Sequence, residues 1–133
     1  VVLRSASAPV LLTPHAGEFD RLTGGRDRTD RSGALRRYVA DLRDRGIPAT
    51  VLLKGRVTLV DDGATTWSID PGSSWAATAG SGDVLSGVAG ALLANGMGCD
   101  GEVAWPAVAA AVAHGEAARV AAGRSGGAGA PIG

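Results

Sequence analysis

Short apolar runs alternate along this chain with longer segments whose apolar residues recur at helical spacing. The runs at 9–13 and 49–53 are continuous and rich in Val and Leu, which is typical of parallel strands covered on both faces. Between them an apolar stripe predicts an amphipathic helix that ends at Gly46: Leu35, Tyr38, Val39 and Leu42. This order of strand, helix and strand predicts a right-handed crossover in a parallel sheet.

A β-hairpin is predicted after the second strand. The segments 57–60 and 65–69 flank the sequence Asp-Asp-Gly-Ala at 61–64, which favours a tight turn. The predicted sheet is therefore mixed rather than purely parallel. The paired aspartates, Asp61 and Asp62, have metal ligation as an alternative, but aspartates are common in turns and we favour that interpretation.

A glycine-rich turn at 79–87 runs into a helix that ends at Asn95-Gly96. The helical spacing of its apolar residues predicts one buried face: Val84, Leu85, Val88, Ala91 and Leu92. Gly87 and Gly90 are expected to let another element approach closely.

An alanine-rich helix is predicted from Trp105 to about Ala122. It is apolar on nearly every side, so we expect it to be packed all round. His114, followed by Gly115, is expected to interrupt it. For His114 we favour packing in the core, with a contact to a nucleotide as the alternative.

The start of the helix after the glycine-rich turn is the candidate anion site. Gly80, Ser81 and Gly82 place backbone N–H groups and the positive end of the helix at one point, which favours a phosphate. Asp83 follows directly, and a carboxylate beside a phosphate is useful as a proton acceptor for an attacking hydroxyl. The alternative is that Asp83 is the N-cap of a core helix.

Further polar side chains follow the two predicted parallel strands. His15 and Glu18 come after the first strand, and Lys54 comes after the second. Ligands in open α/β sheets bind outside the carboxyl ends of the strands, so we expect all three at one edge, with Lys54 facing a phosphate. The alternatives are a structural histidine and a solvent-exposed lysine.

Composition limits the function classes. Thirteen basic residues balance 13 acidic ones, so no net field favours nucleic acid or an anionic membrane. The one cysteine, Cys99, excludes an internal disulfide, and the two histidines lack zinc-ligand spacing. No leader or membrane-length apolar run is present in the sequence, so we expect a cytoplasmic protein without a metal site of its own side chains.

Three segments together resemble one enzyme family. They are L-T-P-H-A-G-E at 12–18, L-K-G-R-V-T at 53–58 and A-T-A-G-S-G-D-V-L-S-G at 77–87. Their order and spacing are similar to those of the NAD(P)H-hydrate dehydratases of the ribokinase-like superfamily. The resemblance implies an α/β fold, a three-layer αβα sandwich with a mostly parallel sheet and a β-hairpin. Residues 1–133 would be the C-terminal portion of one such domain, without the first strands and the last helix of the domain.

The resemblance implies that ADP or ATP drives the dehydration of hydrated NADH or NADPH, through phosphorylation of the hydroxyl and elimination of phosphate. It implies that His15 and Asp83 contact the hydrated cofactor, with Asp83 catalytic. The residues it implies for the nucleotide are Lys54, Gly55, Arg56, Val57, Thr58 and Gly82. It further implies Mg²⁺, and a possible fusion to an NAD(P)H-hydrate epimerase domain; we also expect a homo-oligomer.

Two alternatives to this function stay open. One is a small-molecule kinase of the same fold, acting on a sugar or a vitamin alcohol, in which Asp83 has the same role. His15 distinguishes the two, because the T-P-H-x-G-E segment is particular to the dehydratases. The other alternative is a non-catalytic nucleotide-binding fragment.

Overall fold

The computed structural model describes residues 6, 8–25, 29–70, 80–96 and 101–124. The elements in chain order are β1 (Val10–Leu12), α1 (Ala16–Thr23), α2 (Arg31–Asp44), β2 (Ala49–Leu53), β3 (Thr58–Asp61), β4 (Thr66–Ile69), α3 (Ser81–Ala94) and α4 (Ala104–Arg124). Cys99 and the beginning of the glycine-rich turn, up to Ala79, lie outside the described residues.

The strands form one mixed sheet in the order β1-β2-β3-β4. β1 pairs in parallel with β2, with Val10 opposite Ala49, whereas β2 with β3 and β3 with β4 pair antiparallel. The predicted mixed sheet and hairpin are confirmed. One of the three strand pairs described is parallel, because the links after β2 are only a few residues long and a parallel crossover needs about a dozen.

Helices cover both faces of the sheet, which gives the three layers. Leu35, Val39 and Leu42 of α2 pack with Val51 and Leu53 of β2 in one core. The opposite core is formed by one more β2 residue with residues of β3, α3 and α4: Leu52, Val60, Leu85, Ala89, Ala107, Ala110 and Ala111. Successive side chains of a strand point to opposite faces, so β2 contributes to both cores and is buried along its whole length.

The hairpin turn uses its two aspartates as turn residues. The Asp61 carboxylate, nearly fully buried, accepts hydrogen bonds from the Gly63 N–H at 2.9 Å and the Thr66 hydroxyl at 2.5 Å. The Asp62 carboxylate accepts from the N–H groups of Ala64 and Thr65. Both carboxylates are therefore bound within the turn, as the turn interpretation requires.

The buried face of α3 differs from the predicted one. Leu85 and Ala89 are buried, but Val84 is 60% exposed and Ala91 is exposed. Val88 and Leu92 of the predicted stripe pack against the core together with Leu85 and Ala89, so the prediction is wrong only for Val84 and Ala91. Among the described residues nothing lies within 4 Å of a Cβ placed at Gly87 or Gly90, so the predicted close approach is wrong there.

The prediction for α4 is wrong in two respects. The helix continues without a break through His114 and Gly115. It packs through a face of small residues that includes Ala107 and Ala111, while Trp105 and Val112 are 55% and 54% exposed. Alanines on all sides conceal which face is buried, since every side has the same hydrophobicity. Within the described ranges no helix is both long and apolar enough to cross a membrane.

We expect Leu52→Ala to lower the free energy of unfolding by about 2–5 kcal/mol, since Leu52 is fully buried between the sheet and the helix pair α3/α4. The matched control, Val112→Ala on the exposed side of α4, should change it by about 0.5 kcal/mol or less. Urea denaturation followed by tryptophan fluorescence measures both. Equal losses in the two variants would mean that α4 and the sheet do not enclose this core.

Candidate functional site

A cleft of about 550 Å³ opens where β1 and β2 end and α3 begins. Most of the site residues predicted from the sequence line it: His15, Lys54, Gly55, Arg56, Thr58, Gly80, Gly82 and Asp83. Glu18 and His114 line it as well. Of the other predicted residues, Val57 packs against the α2 core instead, and Ser81 contacts the lining residue His114. The structure thus brings the three sequence segments to one place.

The pairing of β1 with β2 continues into the cleft wall. Beyond the strand ends, the Lys54 N–H donates to the Pro14 carbonyl at 2.8 Å, and His15 and Lys54 form an isolated parallel bridge. The carboxyl ends of both strands therefore meet at one edge, as expected for parallel neighbours. This register fixes the backbone of His15 beside that of Lys54.

His15 is the N-cap of α1. Its Nδ1 accepts hydrogen bonds from the N–H groups of Gly17 at 3.0 Å and Glu18 at 3.2 Å. The Glu18 carboxylate accepts in return from the His15 N–H at 2.8 Å, which completes a capping box. Because Nδ1 is an acceptor, the neutral ring carries its proton on Nε2. The ring caps the helix and also lines the cleft. The structural interpretation of His15 is therefore confirmed, and its contact with a ligand stays a prediction.

Lys54 lies across the start of α3. A Cβ at position 82 would lie 3.1 Å from the Lys54 Nζ and 3.3 Å from its Cδ, so Gly82 allows the lysine side chain to run close to the helix backbone. The ammonium group and the positive end of α3 therefore act at the same point. Both features favour an anion at this point.

The first turn of α3 is shaped by glycine. Gly80 is the N-cap, with a left-handed backbone at φ 82°, and no side chain caps the helix among the described residues. The alternative interpretation of Asp83 as the N-cap is wrong, because Asp83 is the third helical residue. Its exposed side chain lines the cleft. A carboxylate is thus available beside the anion site to accept a proton.

Two hydroxyl groups link β1 to α3. The Thr13 Oγ1, just after β1, is 3.0 Å from the Ser86 Oγ. The Ser86 hydroxyl also donates to the Gly82 carbonyl at 2.9 Å. These contacts tie the strand end that precedes His15 to the helix turn that contains Gly82, so they hold the two sides of the cleft in register.

Arg31 holds the loop between β2 and β3, and the sequence analysis missed it. From the start of α2, its guanidinium donates to the Val57 carbonyl at 3.2 Å and the Lys54 carbonyl at 3.5 Å. A Cβ at Gly55 would lie 2.7 Å from the Arg31 Nη2, so the guanidinium packs against the loop backbone. Arg31 is 26 residues from Val57 in sequence, and no local pattern indicates a contact over that distance.

Ser81 and His114 form the second contact that the sequence analysis did not predict. The Ser81 Oγ lies 2.7 Å from the His114 Nε2. His114 is half-buried in the cleft wall, not packed in the core. The predicted interpretation of His114 as a core residue is therefore wrong, because the polar ring has a hydroxyl partner at the helix start.

A layered α/β sandwich with a mixed sheet and a β-hairpin is of the ribokinase-like type. Comparison with protein families makes the assignment specific. The chain belongs to the NAD(P)H-hydrate dehydratase family (Carb_kinase), whose family model matches residues 3–131.

Individual relatives agree with this family. The bifunctional NAD(P)H-hydrate repair enzyme Nnr of Mycobacterium tuberculosis H37Rv is 56% identical over 92 residues, which are 68% of this chain and 18% of the relative. The ADP-dependent (S)-NAD(P)H-hydrate dehydratase of Neisseria meningitidis serogroup B is 42% identical over 115 residues, 84% of this chain and 36% of the relative. This chain thus spans 18% of the first relative's length and 36% of the second's.

We expect the capping box to make stability depend on acidic pH. The hydrogen bond from the His15 N–H, and then the nearby charges of His15, Lys54 and Arg21, lower the pKa of Glu18 from its ordinary value of 4.5. A carboxyl whose pKa is lower in the folded state stabilises the protein above its unfolded pKa, and this contribution is lost as pH falls through the folded pKa. The contribution of Glu18 should therefore be constant above 4.5 and decline below it.

The variant that tests this is Glu18→Gln, with Glu102→Gln, an exposed carboxylate outside the capping box, as the control. Urea unfolding is measured from neutral pH down to about pH 3. The stability difference between the wild type and Glu18→Gln should shrink in the acidic part of this range. A difference that stays constant with pH would contradict the effect of the capping box on Glu18.

Removing the Arg31 guanidinium should loosen the loop between β2 and β3. In Arg31→Ala the Lys54 amide should exchange with solvent roughly 3- to 30-fold faster, because one or two hydrogen bonds of about 1 kcal/mol each are lost. Hydrogen exchange measured by NMR gives the rate directly. Arg36→Ala, on the exposed side of α2, is the control and should leave this amide unchanged. Equal rates in both variants would show that Arg31 does not hold the loop.

Proposed function

We propose that this chain forms the nucleotide- and substrate-binding part of a nucleotide-dependent NAD(P)H-hydrate dehydratase, with ADP as the driving nucleotide. The observation that carries the proposal is the Lys54 side chain lying against Gly82 at the start of α3, in a cleft shared with His15 and Asp83. ADP is supported by the names of the relatives from Neisseria meningitidis and Cenarchaeum symbiosum, both ADP-dependent dehydratases.

In the proposed binding mode, the phosphates of the nucleotide lie at the start of α3. Lys54 and the α3 N–H groups neutralise their charge, and Gly80 and Gly82 let the backbone approach them. The loop Gly55, Arg56, Val57 and Thr58 contacts the adenylate part, held in place by Arg31. Val57 contributes through its backbone in this proposal, since its side chain packs against the core.

The hydrated nicotinamide ring is proposed to lie between His15 and Asp83. The Asp83 carboxylate accepts the proton of the ring hydroxyl. The hydroxyl oxygen then forms a bond to the terminal phosphorus of ADP, and the bond from that phosphorus to the AMP oxygen breaks. In the second step the ring C–O bond breaks, inorganic phosphate leaves with the bonding electrons, and a neighbouring ring carbon loses a proton to water. The ring regains its double bond, and the net change is loss of water driven by cleavage of ADP. His15 offers its Nε2–H to the substrate, since its Nδ1 caps α1.

Magnesium, implied by the family resemblance, is a separate part of the proposal. Among the described residues no three His, Cys, Asp or Glu side chains cluster as ligands for a metal ion. The side chains described here therefore do not form a complete metal site. Proteins commonly bind Mg²⁺ through one or two carboxylates together with the phosphates of a substrate. None of the steps above depends on the metal.

The proposal also covers the context of the chain. We place residues 1–133 as the C-terminal portion of one ribokinase-like domain, supported by the short share of each relative that the chain spans. The word bifunctional in the name of the mycobacterial relative supports a second activity, an epimerase, in the same polypeptide. A homo-oligomer and a cytoplasmic location remain expectations from the sequence.

We also propose that the isolated chain binds nucleotide but turns over slowly, because positioning both reactants needs the whole cleft.

Asp83→Asn tests the mechanism. Asn keeps the size of the side chain and removes the charge, so ADP binding should be unchanged or slightly tighter. Turnover should fall by roughly 10²–10⁴-fold, the usual contribution of a general base. Calorimetry measures ADP binding, and recovery of NADH absorbance from its hydrate, with the protein in excess, measures slow turnover.

The control is Asp44→Asn, an exposed aspartate at the end of α2 and outside the cleft, which should leave both readings unchanged. If Asp83→Asn lost binding and turnover in equal measure, Asp83 would be structural and the mechanism wrong. A wild-type chain that binds ADP without any turnover would be a nucleotide-binding module, and one that does not bind ADP would overturn the whole proposal.

A further inference from the structure

Two hydroxyl groups behind the cleft wall form hydrogen bonds with a defined direction. The Thr13 Oγ1 lies 3.0 Å from the Ser86 Oγ, and the Ser86 hydroxyl donates to the Gly82 carbonyl at 2.9 Å. A carbonyl oxygen can only accept, and a serine hydroxyl has one hydrogen. Because Ser86 donates that hydrogen to Gly82, its oxygen accepts from Thr13. The two bonds therefore run from Thr13 through Ser86 to Gly82, and we call them the hydroxyl bridge.

Each end of the hydroxyl bridge lies next to a residue that is proposed to contact the substrate. Thr13 precedes His15 by two residues. The Gly82 carbonyl belongs to the same planar peptide unit as the Asp83 N–H and Cα. A hydrogen bond to that carbonyl restrains the point from which the Asp83 side chain extends. The hydroxyl bridge thus connects the backbone that carries His15 to the backbone that carries Asp83.

The two elements joined by the hydroxyl bridge belong to different packing units. β1 pairs with β2, whereas α3 packs mainly against α4. Leu11 of β1 packs against the core that these helices share with the sheet. Apolar contacts of this kind have no preferred direction, whereas hydrogen bonds prefer a narrow range of distances and angles. The bridge therefore restrains the position of α3 relative to the end of β1 more closely than packing does.

Neither Thr13 nor Ser86 lines the cleft, and both are half-buried. Their influence on a bound substrate would therefore pass through the residues that they place. That placement matters because a general base has to lie about 2.6–3.2 Å from the group whose proton it accepts. A misplacement of about 1 Å can lower a rate about a hundredfold.

We infer that Thr13 and Ser86 are positioning residues: the hydroxyl bridge sets the separation of His15 and Asp83 across the cleft. This inference rests on the proposed function for the identity of the substrate that lies between them. In the proposed mechanism the bridge thereby sets the distance from the Asp83 carboxylate to the hydroxyl of the hydrated nicotinamide ring.

Kinetics and binding together separate positioning from a general loss of structure. Ser86→Ala removes both hydrogen bonds, and Thr13→Val removes the first one in a side chain of similar shape. Each variant should recover NADH from its hydrate roughly 10- to 100-fold more slowly, with the protein in excess. ADP affinity should change by no more than about threefold, because the flexible Lys54 side chain can follow a small shift of α3. Thr13→Ser retains the hydroxyl and should keep most of the rate.

Thr23→Val is the matched control. The Thr23 hydroxyl also donates to a carbonyl four residues earlier, that of Phe19, but it lies outside the cleft, so rate and ADP affinity should not change. The double variant Thr13→Val/Ser86→Ala should be no slower than Ser86→Ala alone, because one substitution already breaks the bridge. Equal losses of rate and ADP affinity in Ser86→Ala, or additive losses in the double variant, would overturn the inference.

Amide NMR makes the test independent of the proposed function. Ser86→Ala should shift the His15 amide signal, and Thr13→Val should shift the Asp83 amide signal, since linked hydrogen bonds polarise one another. Thr23→Val should leave the Asp83 signal in place. If the wild type had no turnover but these shifts were observed, the proposed function would fail and the inference would stand. If Thr13→Val left the Asp83 signal unchanged, the inference would be overturned even in an active protein.

Discussion

The close approach of Lys54 to the backbone of Gly82 is the contact on which the site depends. It requires the end of β2 to lie beside the start of α3. It also requires position 82 to lack a Cβ, which would lie 3.1 Å from the lysine Nζ. The surrounding contacts hold this arrangement from several sides. The parallel bridge to His15 fixes the backbone of Lys54, Arg31 bonds to its carbonyl, and Ser86 ties the Gly82 carbonyl to the end of β1. A displaced lysine would leave the helix start as a weak site, because a helix end alone amounts to roughly half an elementary charge.

Several side chains in the cleft serve structure and site at once. His15 caps α1 through Nδ1 while its ring lines the cleft, and Glu18 both closes the capping box and lies in the same wall. This double use has a physical advantage. A ring held by two backbone N–H donors has a fixed orientation, and in its neutral form a fixed tautomer, so a ligand that contacts it would not incur the entropy cost of ordering it.

The sequence predicted what depends on local pattern. The strand at 49–53 has the bounds of β2, and the hairpin strands differ from those predicted by one residue. The shared edge of His15 and Lys54 followed from the topology of parallel strands. The H-x-x-E spacing at 15–18 also contained the capping box, a signal that the sequence analysis did not use.

What could not be predicted depends on contacts between distant segments. Arg31 reaches a loop 26 residues away and His114 a serine 33 residues away, and neither residue lies in a pattern that indicates its partner. The exposed sides of α3 and α4 were not predicted, for a different reason. Both helices have apolar residues on all sides, so the sequence allows several buried faces. The position of the sheet determines that Leu85 is buried and Val84 is exposed.

In the proposed mechanism, Asp83 as a base and the phosphates of the nucleotide share the start of α3. A carboxylate in the first turn of a helix interacts favourably with the positive end of that helix, and Asp83 shares its cleft with the Lys54 ammonium. The same charge repels a phosphate, but the side chain is exposed, and water screens an exposed pair to about 1 kcal/mol at 4 Å. In the proposed mechanism, substrate and nucleotide displace that water, and the repulsion between the carboxylate and the phosphate grows. Exposure to water in the unliganded protein therefore weakens this repulsion, whereas the proposed exclusion of water on binding strengthens it, so the two states have opposite effects on the proposed base.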